Sequence, residues 1–343
     1  GTTSFGLTSM QGWRQTMEDS HLALPHVKEL EELLNGREVS LYGVFDGHGG
    51  PAVSEWIARH MVPVLARELK ATQTAPPAGL PSHFEKDIIL LSESLCKTFI
   101  ELDEEMQTEG GSEEEAVPEL HAQVSTDAWN GGASSRPAVP DTCGAAVVLT
   151  AIVGGEMPFL ITANAGDSRC VLCRDGIAVA QSHDHKPHLY NELNRIVRAG
   201  GYIEHGRVDG NLNLSRTLGD LFYKRNKTLR PEQQKITAYP DVMITGITPQ
   251  DQFIIIACDG IWDCLTNQQA CEFVLSRLGD NPTPQHLSAI CEEMCDTCLA
   301  GHPMDSEGGI GCDNMTCIIV LLNDEFRARG IKGSNSAYYK KPE

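Results

Sequence analysis

Apolar positions along the chain gather into two kinds of segment. Seven short runs read as strands: 39–45, 145–153, 158–164, 169–173, 177–181, 252–257 and 315–322. They are rich in Val, Ile, Leu and Phe and bounded by Gly, Asp or Asn, the patterning of strands with turn residues at their edges. Short connections such as CRDG, between 169–173 and 177–181, predict antiparallel pairing. Other stretches carry a helical period. AVSEWIARHMVPVLARELK puts Val53, Trp56, Ile57, His60, Met61, Val64 and Leu65 on one side, with Pro63 predicting a kink or a break. His60 there reads as a packed helix histidine. FEKDIILLSESLCKTFIEL repeats with Phe84, Ile88, Leu91, Leu95, Phe99 and Leu102. HLYNELNRIVRAGG aligns Leu189, Leu193, Ile196 and Val197, then ends on glycines that suit a helix C-terminus. NQQACEFVLSRLG and PQHLSAICEEMCDTCLA complete the set. Strands and helices arrive in blocks rather than in strict alternation. That predicts an α+β fold with largely antiparallel sheets covered by helices. Residues 103–141 break both periods, starting as DEEMQTEGGSEEE and ending as NGGASSRPAVP, and are expected to form a mobile surface insertion.

An apolar content of 41% in 343 residues supports a sizeable core, in one large domain or two smaller ones. The formal net charge of −20 opposes general binding to nucleic acid or to an anionic membrane. Nine acidic residues and no Lys or Arg lie between Glu101 and Glu119, so nearly half of the excess sits in one run. No stretch is apolar enough to span a bilayer and no secretory signal is visible, so a cytoplasmic or nuclear location with reduced thiols is expected for the twelve cysteines. Two CxxC pairs, Cys170/Cys173 and Cys295/Cys298, raise zinc binding. On a strand, however, residues three apart point to opposite faces. Cys291, Cys295 and Cys298 share one helix face with Leu287, Ile290 and Met294, so burial as small hydrophobes is expected. Nothing signals oligomerisation, and a monomer is expected.

The chemistry-bearing feature is a recurring acid at a strand edge. FDGHGG places Asp46 and His48 after the apolar run VSLYGV. FLITANAGDSR ends at Asp167, and FIIIACDGIWD ends at Asp259 with Asp263 four residues on. GCDNMTC places Asp313 just before a strand, and GWRQTMEDS puts Arg14, Glu18 and Asp19 before another. A single Asp beside Gly is ordinary turn chemistry. Five separate carboxylate sites at strand edges can instead converge, and converging carboxylates repel unless cations neutralise them. The donors are all oxygen, counting the carbonyl of Gly47, which implies Mg²⁺ or Mn²⁺ before Zn²⁺ and more than one ion. Two such ions suit phosphoester hydrolysis. Glycine at 47 would let the carbonyl approach a cation, while Gly49 and Gly50 would let the turn close. EF-hand and P-loop spacings are absent, as are the patterns of phosphocysteine and aspartyl-phosphate routes, which leaves direct attack by metal-bound water.

MQGWRQTMED, FDGHGG, NAGDSR, LNLSRTLGD, ACDGIWD and CDNMTC occur in the order found in the metal-dependent protein phosphatases, the type 2C serine/threonine phosphatases. The resemblance runs from about residue 5 to about residue 322. GDLFYKRNKTLRPEQQKITAYPDV, with the acidic insertion, is most similar to the gamma type. The resemblance implies one catalytic domain over 1–343, built as a sandwich of two antiparallel sheets flanked by helices, with a binuclear metal centre at one end. Asp46 would bridge the two ions. Asp259 and Asp313 would complete one site, and Glu18 with the Gly47 carbonyl the other. Asp19 would hold metal-bound waters, and Asp167 and Asp263, with Asp259, would form a weaker third site. Arg14 would clamp the phosphate. A hydroxide bridging the metals would attack phosphorus in line, and His48 would protonate the leaving alkoxide. A flap at about 209–238 would help grip phosphoprotein substrates. By its charge, the acidic insertion is expected to be a spacer that adds some attraction for substrates with basic segments. The family usually has Ser-Gly followed by Ser or Thr and then Ala, where this chain has DTCGAAVV, leaving local packing around Cys143 to be established. The alternative is a silent phosphatase-fold scaffold or a metal-binding interaction protein, but here every acid position is filled.

Overall fold

A computed structural model describes residues 3–75, 86–108, 139–330 and 337–340. In chain order the strands are β1 (Thr3–Met10), β2 (Ser20–Leu24), β3 (Val39–His48), β4 (Gly144–Val153), β5 (Phe159–Ala165), β6 (Arg169–Arg174), β7 (Ile177–Ala180), β8 (Ile203–Glu204), β9 (Arg207–Val208), β10 (Leu218–Gly219), β11 (Asp241–Gly246), β12 (Asp251–Ala257), β13 (Met315–Leu322) and β14 (Ala337–Lys340). The helices are α1 (Lys28–Leu33), α2 (Ala52–Thr74), α3 (Lys86–Thr108), α4 (Tyr190–Arg198), α5 (Asp259–Trp262), α6 (Asn267–Leu278), α7 (Pro284–Cys298) and α8 (Asp324–Ala328).

Twelve of the strands form two antiparallel sheets, β1-β13-β12-β6-β7 and β14-β11-β5-β4-β3-β2, with β10 pairing β4 in the second, and β8 and β9 pair as a small ribbon of their own. Strand alternation builds three apolar layers. Tyr42 and Val44 of β3, Val148 and Ile152 of β4, Ile254 and Ile256 of β12, and Ile318 and Val320 of β13 fill the space between the sheets. Their neighbours Leu41, Phe45, Val147 and Leu149 face α2 and α3. Val171, Ile255 and Ile319 face α6 and α7 on the far side. Six of the seven predicted strands are present within a residue of their expected bounds; β3 runs three residues further, so Asp46, Gly47 and His48 stand in the strand, paired with Ala146, Ala145 and Gly144, and the turn begins after them. The two sheets flanked by helices match the expected architecture. Cys170 faces the inter-sheet layer and Cys173 the helical layer. Cys291, Cys295 and Cys298 line the buried face of α7. His60 packs on Trp56 with ring centroids 4.0 Å apart. No helix among the described residues is long and apolar enough to cross a membrane.

Four local expectations are corrected. Pro63 lies inside α2, which continues to Thr74. Ile57, Met61, Val64, Leu65 and Leu69 bury both halves in the same core, enough to offset the ~3 kcal/mol that an interior proline costs. The insertion begins later than 103, because α3 runs on to Thr108. Asp103 is buried there, its carboxylate bound to Lys224 Nζ at 2.6 Å and to the Gly219 N–H at 2.7 Å. The rest of the predicted insertion, 109–138, lies outside the described residues, as does Phe84. α4 turns a different face inward, with Glu192 and Ile196 buried and Val197 55% exposed. Lastly, β1 and β11 were not predicted. β1 pairs with β13 across almost the whole chain, Thr3 opposite Leu322. Gly6 interrupts its pattern because α7 crosses there: a Cβ would sit 2.1 Å from the Ser288 nitrogen.

Candidate active site

Strand ends that meet at one edge of the sandwich carry the acids to one place. Asp46 continues the side of β3 that carries Tyr42 and Val44, so its carboxyl emerges at the end of the inter-sheet layer. Cys258, just past β12, and Thr316, at the start of β13, share that layer's parity. Asp19, before β2, accepts a 2.7 Å hydrogen bond from Thr316 Oγ1. Ligand atoms of Asp19, Asp46 and Cys258 lie within 4.8 Å of one another, and so do those of Asp46, Asp167 and Asp259. Above them opens a cavity of about 520 Å³ lined by Arg14, Glu18, Asp46, Gly47, His48, Asp167, Asp259 and Asp313, among others. Asp19 sits beneath it. Asp263 stands one helical turn beyond Asp259 and does not line it.

Burial pushes the Asp46 pKa well above the carboxylate range, and Asp259, Asp19, Asp167 and Asp313 push it further. Burial and then Asp167, Asp313 and Asp263 do the same to Asp259. Asp19 is raised to about 6, chiefly by burial, and its Oδ1 is buried without a hydrogen-bond partner. Among the described residues, two cations answer these charges directly: Lys186 Nζ on Asp167 Oδ2, and Arg14 Nη2 on Asp313 Oδ2 at 2.6 Å. Such crowding of acids around an orphaned carboxylate oxygen fits a site for hard cations. Cys258 does not change that. Its Sγ is engaged by the Thr316 N–H and the Asn314 carbonyl, and burial pushes its pKa well up, so it remains a thiol.

The FDGHGG turn is shaped from below. A Cβ on Gly47 would stand 2.2 Å from the Glu18 carbonyl oxygen, so glycine there answers to a neighbouring backbone before any cation. Gly49 and Gly50 adopt φ of +72° and +121°, as turn closure requires. The Glu18 carboxylate accepts from Thr16 Oγ1 and from the Gly50 N–H. Cys143, where the chain departs from the family pattern, donates its thiol to the Gly49 carbonyl and supports the turn. His48 Nε2 lies 2.8 Å from Asp220 Oδ2. Burial lowers the His48 pKa, but the Asp220 hydrogen bond and charge outweigh it and leave the pKa raised.

Several participants escaped sequence reasoning. From the predicted flap, Asn213 and Leu214 line the cavity, joined by Arg207 just before it, whereas none of the basic residues Lys224–Arg230 does. Those residues point elsewhere, Lys224 to Asp103 and Arg225 to Asp141. Beneath the segment lies a buried ionic cluster. Arg216 holds Glu192 with both Nε and Nη2 and reaches Asp241 Oδ1 at 2.9 Å, while Arg195 Nη1 binds Glu192 at 2.7 Å. Asp220 and Arg216 lie within LNLSRTLGD, whose polar residues between apolar ones were the available signal.

A family model described as Protein phosphatase 2C matches residues 3–306. The chain is 39% identical over 322 residues to "Probable protein phosphatase 2C 58" of Oryza sativa subsp. japonica, covering 92% of this chain and 83% of that protein. It is 40% identical over 319 residues to "Protein phosphatase 2C 1" of Paramecium tetraurelia, covering 93% of this chain and 92% of that one. The fold matches the crystal structure of a phosphatase from a pathogenic strain of Toxoplasma gondii at a TM-score of 0.66 and 22% identity, over 99% of this chain and 97% of that chain. With its acids gathered at one end of a two-sheet sandwich and its sequence aligned along nearly its whole length, the chain belongs to the protein phosphatase 2C family and is a metal-dependent serine/threonine protein phosphatase.

Proposed function

We propose that the cavity hydrolyses phosphoserine and phosphothreonine esters in one step, with at least two Mg²⁺ or Mn²⁺ ions held by its acids. The observation that carries this is the convergence of Asp19, Asp46, Asp167 and Asp259 beside an orphaned carboxylate oxygen. Asp46 is central enough to serve both ions. Asp259 and Asp313 would hold one, Glu18 and the Gly47 carbonyl the other, and Asp19 would orient their waters. When bound, the ions supply Lewis-acid activation of the attacking water and charge neutralisation at phosphorus. A third ion at Asp167, Asp259 and Asp263 would compete with the Lys186 ammonium already on Asp167, which makes that site the weakest. Arg14, 59% exposed at its side chain, can turn its free guanidinium edge to the phosphate while Asp313 steadies the other. His48 delivers the proton to the departing serine or threonine oxygen.

The direct test is phosphate release from a phosphothreonine peptide. It should require Mn²⁺ or Mg²⁺ and stop with excess EDTA; turnover that persists without divalent ions would end the two-ion reading. Substrate attraction by the acidic run can be tested separately. Removal of residues 109–119 should leave p-nitrophenyl phosphate turnover unchanged and raise KM for a basic phosphopeptide at low salt, with the difference fading as salt screens it. Equal KM values for the two proteins at low salt would remove that role. The deletion must spare Asp103, which is part of the core.

A further inference from the structure

We propose that Asp220 is a positioning residue that fixes His48 as proton donor to the leaving oxygen, an inference that rests on the hydrolysis proposed above. The sheet register sets the contact. Gly219 of β10 pairs with Gly144 of β4, and Gly144 pairs with His48 of β3. Asp220, one residue past β10, therefore reaches His48 across Gly144. The space between them is filled: a Cβ on Gly144 would lie 2.2 Å from Asp220 Oδ2 and 2.6 Å from His48 Nε2. Glycine is thus demanded at 144 by the Asp–His pair itself.

Asp220 is held as a fixed acceptor. It is 2% exposed, and its backbone takes the left-handed conformation at φ +49°, which glycine would adopt at lower cost. Its N–H donates to the Cys143 carbonyl at 2.7 Å, and its Oδ2 accepts from Thr217 Oγ1 at 2.7 Å as well as facing His48. The preceding N–H, of Gly219, is anchored on Asp103. A carboxylate held from one side by Thr217 and turned on a histidine at the cavity wall points to the reaction as well as to the turn.

The pairing assigns the ring's two nitrogens. Nε2–H donates to Asp220, which leaves Nδ1 as the nitrogen available to the cavity that His48 lines. In the step, the oxygen of the attacking hydroxide, left when the water gives up one proton to solvent, forms its bond to phosphorus as the bond from phosphorus to the serine or threonine Oγ breaks. The bonding pair stays on Oγ, and the Nδ1 proton moves to it. The imidazole is left neutral, with its Nε2–H still on Asp220. Asp220 touches neither substrate nor metal in this arrangement; it acts through the ring.

The experiment compares kcat on a phosphothreonine peptide, whose alkoxide needs a proton, with kcat on p-nitrophenyl phosphate, whose leaving group does not. Asp220→Asn, Gly144→Ala, His48→Ala and the Asp220→Asn/His48→Ala double variant are measured in Mn²⁺. Asp220→Asn should lower kcat on the peptide about 10²-fold, the lower range for general-acid catalysis, and leave the aryl ester within about threefold. Gly144→Ala, which forces the pair apart while keeping both residues, should show the same selectivity and serves if Asp220→Asn fails to fold. The double variant should lose no more than His48→Ala alone. Equal losses on both substrates, or no loss on the peptide, from Asp220→Asn and Gly144→Ala would overturn the proposal while a selective His48→Ala leaves the general-acid reading standing. Equal losses from His48→Ala itself would overturn that reading, and the role of Asp220 with it.

Discussion

Asp46→Asn will lower phosphate release by about 10³-fold or more, on the scale of removing a central electrostatic element of an active site, and yet the metal-free protein will become harder to unfold. The two effects have one cause. In the folded chain Asp46 is buried, and four neighbouring acids, Asp259, Asp19, Asp167 and Asp313, push its pKa up. Without cations the site therefore stores repulsion and desolvation that the rest of the fold must outweigh, as function-bearing sites commonly do. Asparagine keeps the shape and removes an acid that folding without cations forces either to bear its charge against that repulsion or to take up a proton. Relief of ~1 kcal/mol would raise the melting temperature by roughly 2 °C in a domain of this size. The same substitution should cut the thermal shift that saturating Mn²⁺ produces in the parent protein. Melting curves of both proteins with EDTA and with Mn²⁺ decide it. A metal-free variant less stable than its parent would show that the acids are not in conflict.

The largest loss of stability is expected at Glu192, which does not line the cavity. Glu192→Gln should cost about 3–5 kcal/mol, the usual penalty when one partner of a buried ion pair is removed. It would leave Arg216 and Arg195 with a neutral amide in place of their shared carboxylate, although Asp241 still faces Arg216. Burial alone would raise the Glu192 pKa, but Arg216 and Arg195 overcome it and hold the group at about 2, against 4.5 for a free side chain. A depressed pKa gives stability that is fully present above about 4.5 and is lost as pH falls through about 2. The gap between parent and variant should therefore be widest near neutrality and close on acidification from 4.5 towards 2. Urea midpoints at constant slope across that range are the measurement. A gap that stays constant with pH would place the effect in packing instead of charge.

How much of this could be read along the chain depended on distance. The strands were legible because alternation is local, and so was each acid, because an Asp at a strand edge needs only its own neighbours to be noticed. α4 was misread because its inward residue is Glu192, a charge made tolerable by Arg216, twenty-four positions away. β1 escaped because its partner β13 enters more than 300 residues later and because Gly6 yields to α7. Asp220 carried no signal of its own, since its role exists only across three adjacent strands.

Composition and order of residues thus settled which groups this protein owns: oxygen donors in excess, one arginine and one histidine near them, and enough alternating apolar strand to build two sheets. Folding decided which of those groups meet. Asp46 and Asp259 line one cavity, with Asp19 beneath it, because the segments that carry them reach the same edge of the sandwich, while Asp103 and Glu192, equally acidic on paper, were sent to bury against Lys224 and Arg216. The reason is electrostatic: inside a protein a charge survives only beside an opposite one or beside a cation, and which of the two it finds is set by neighbours that are distant in the chain.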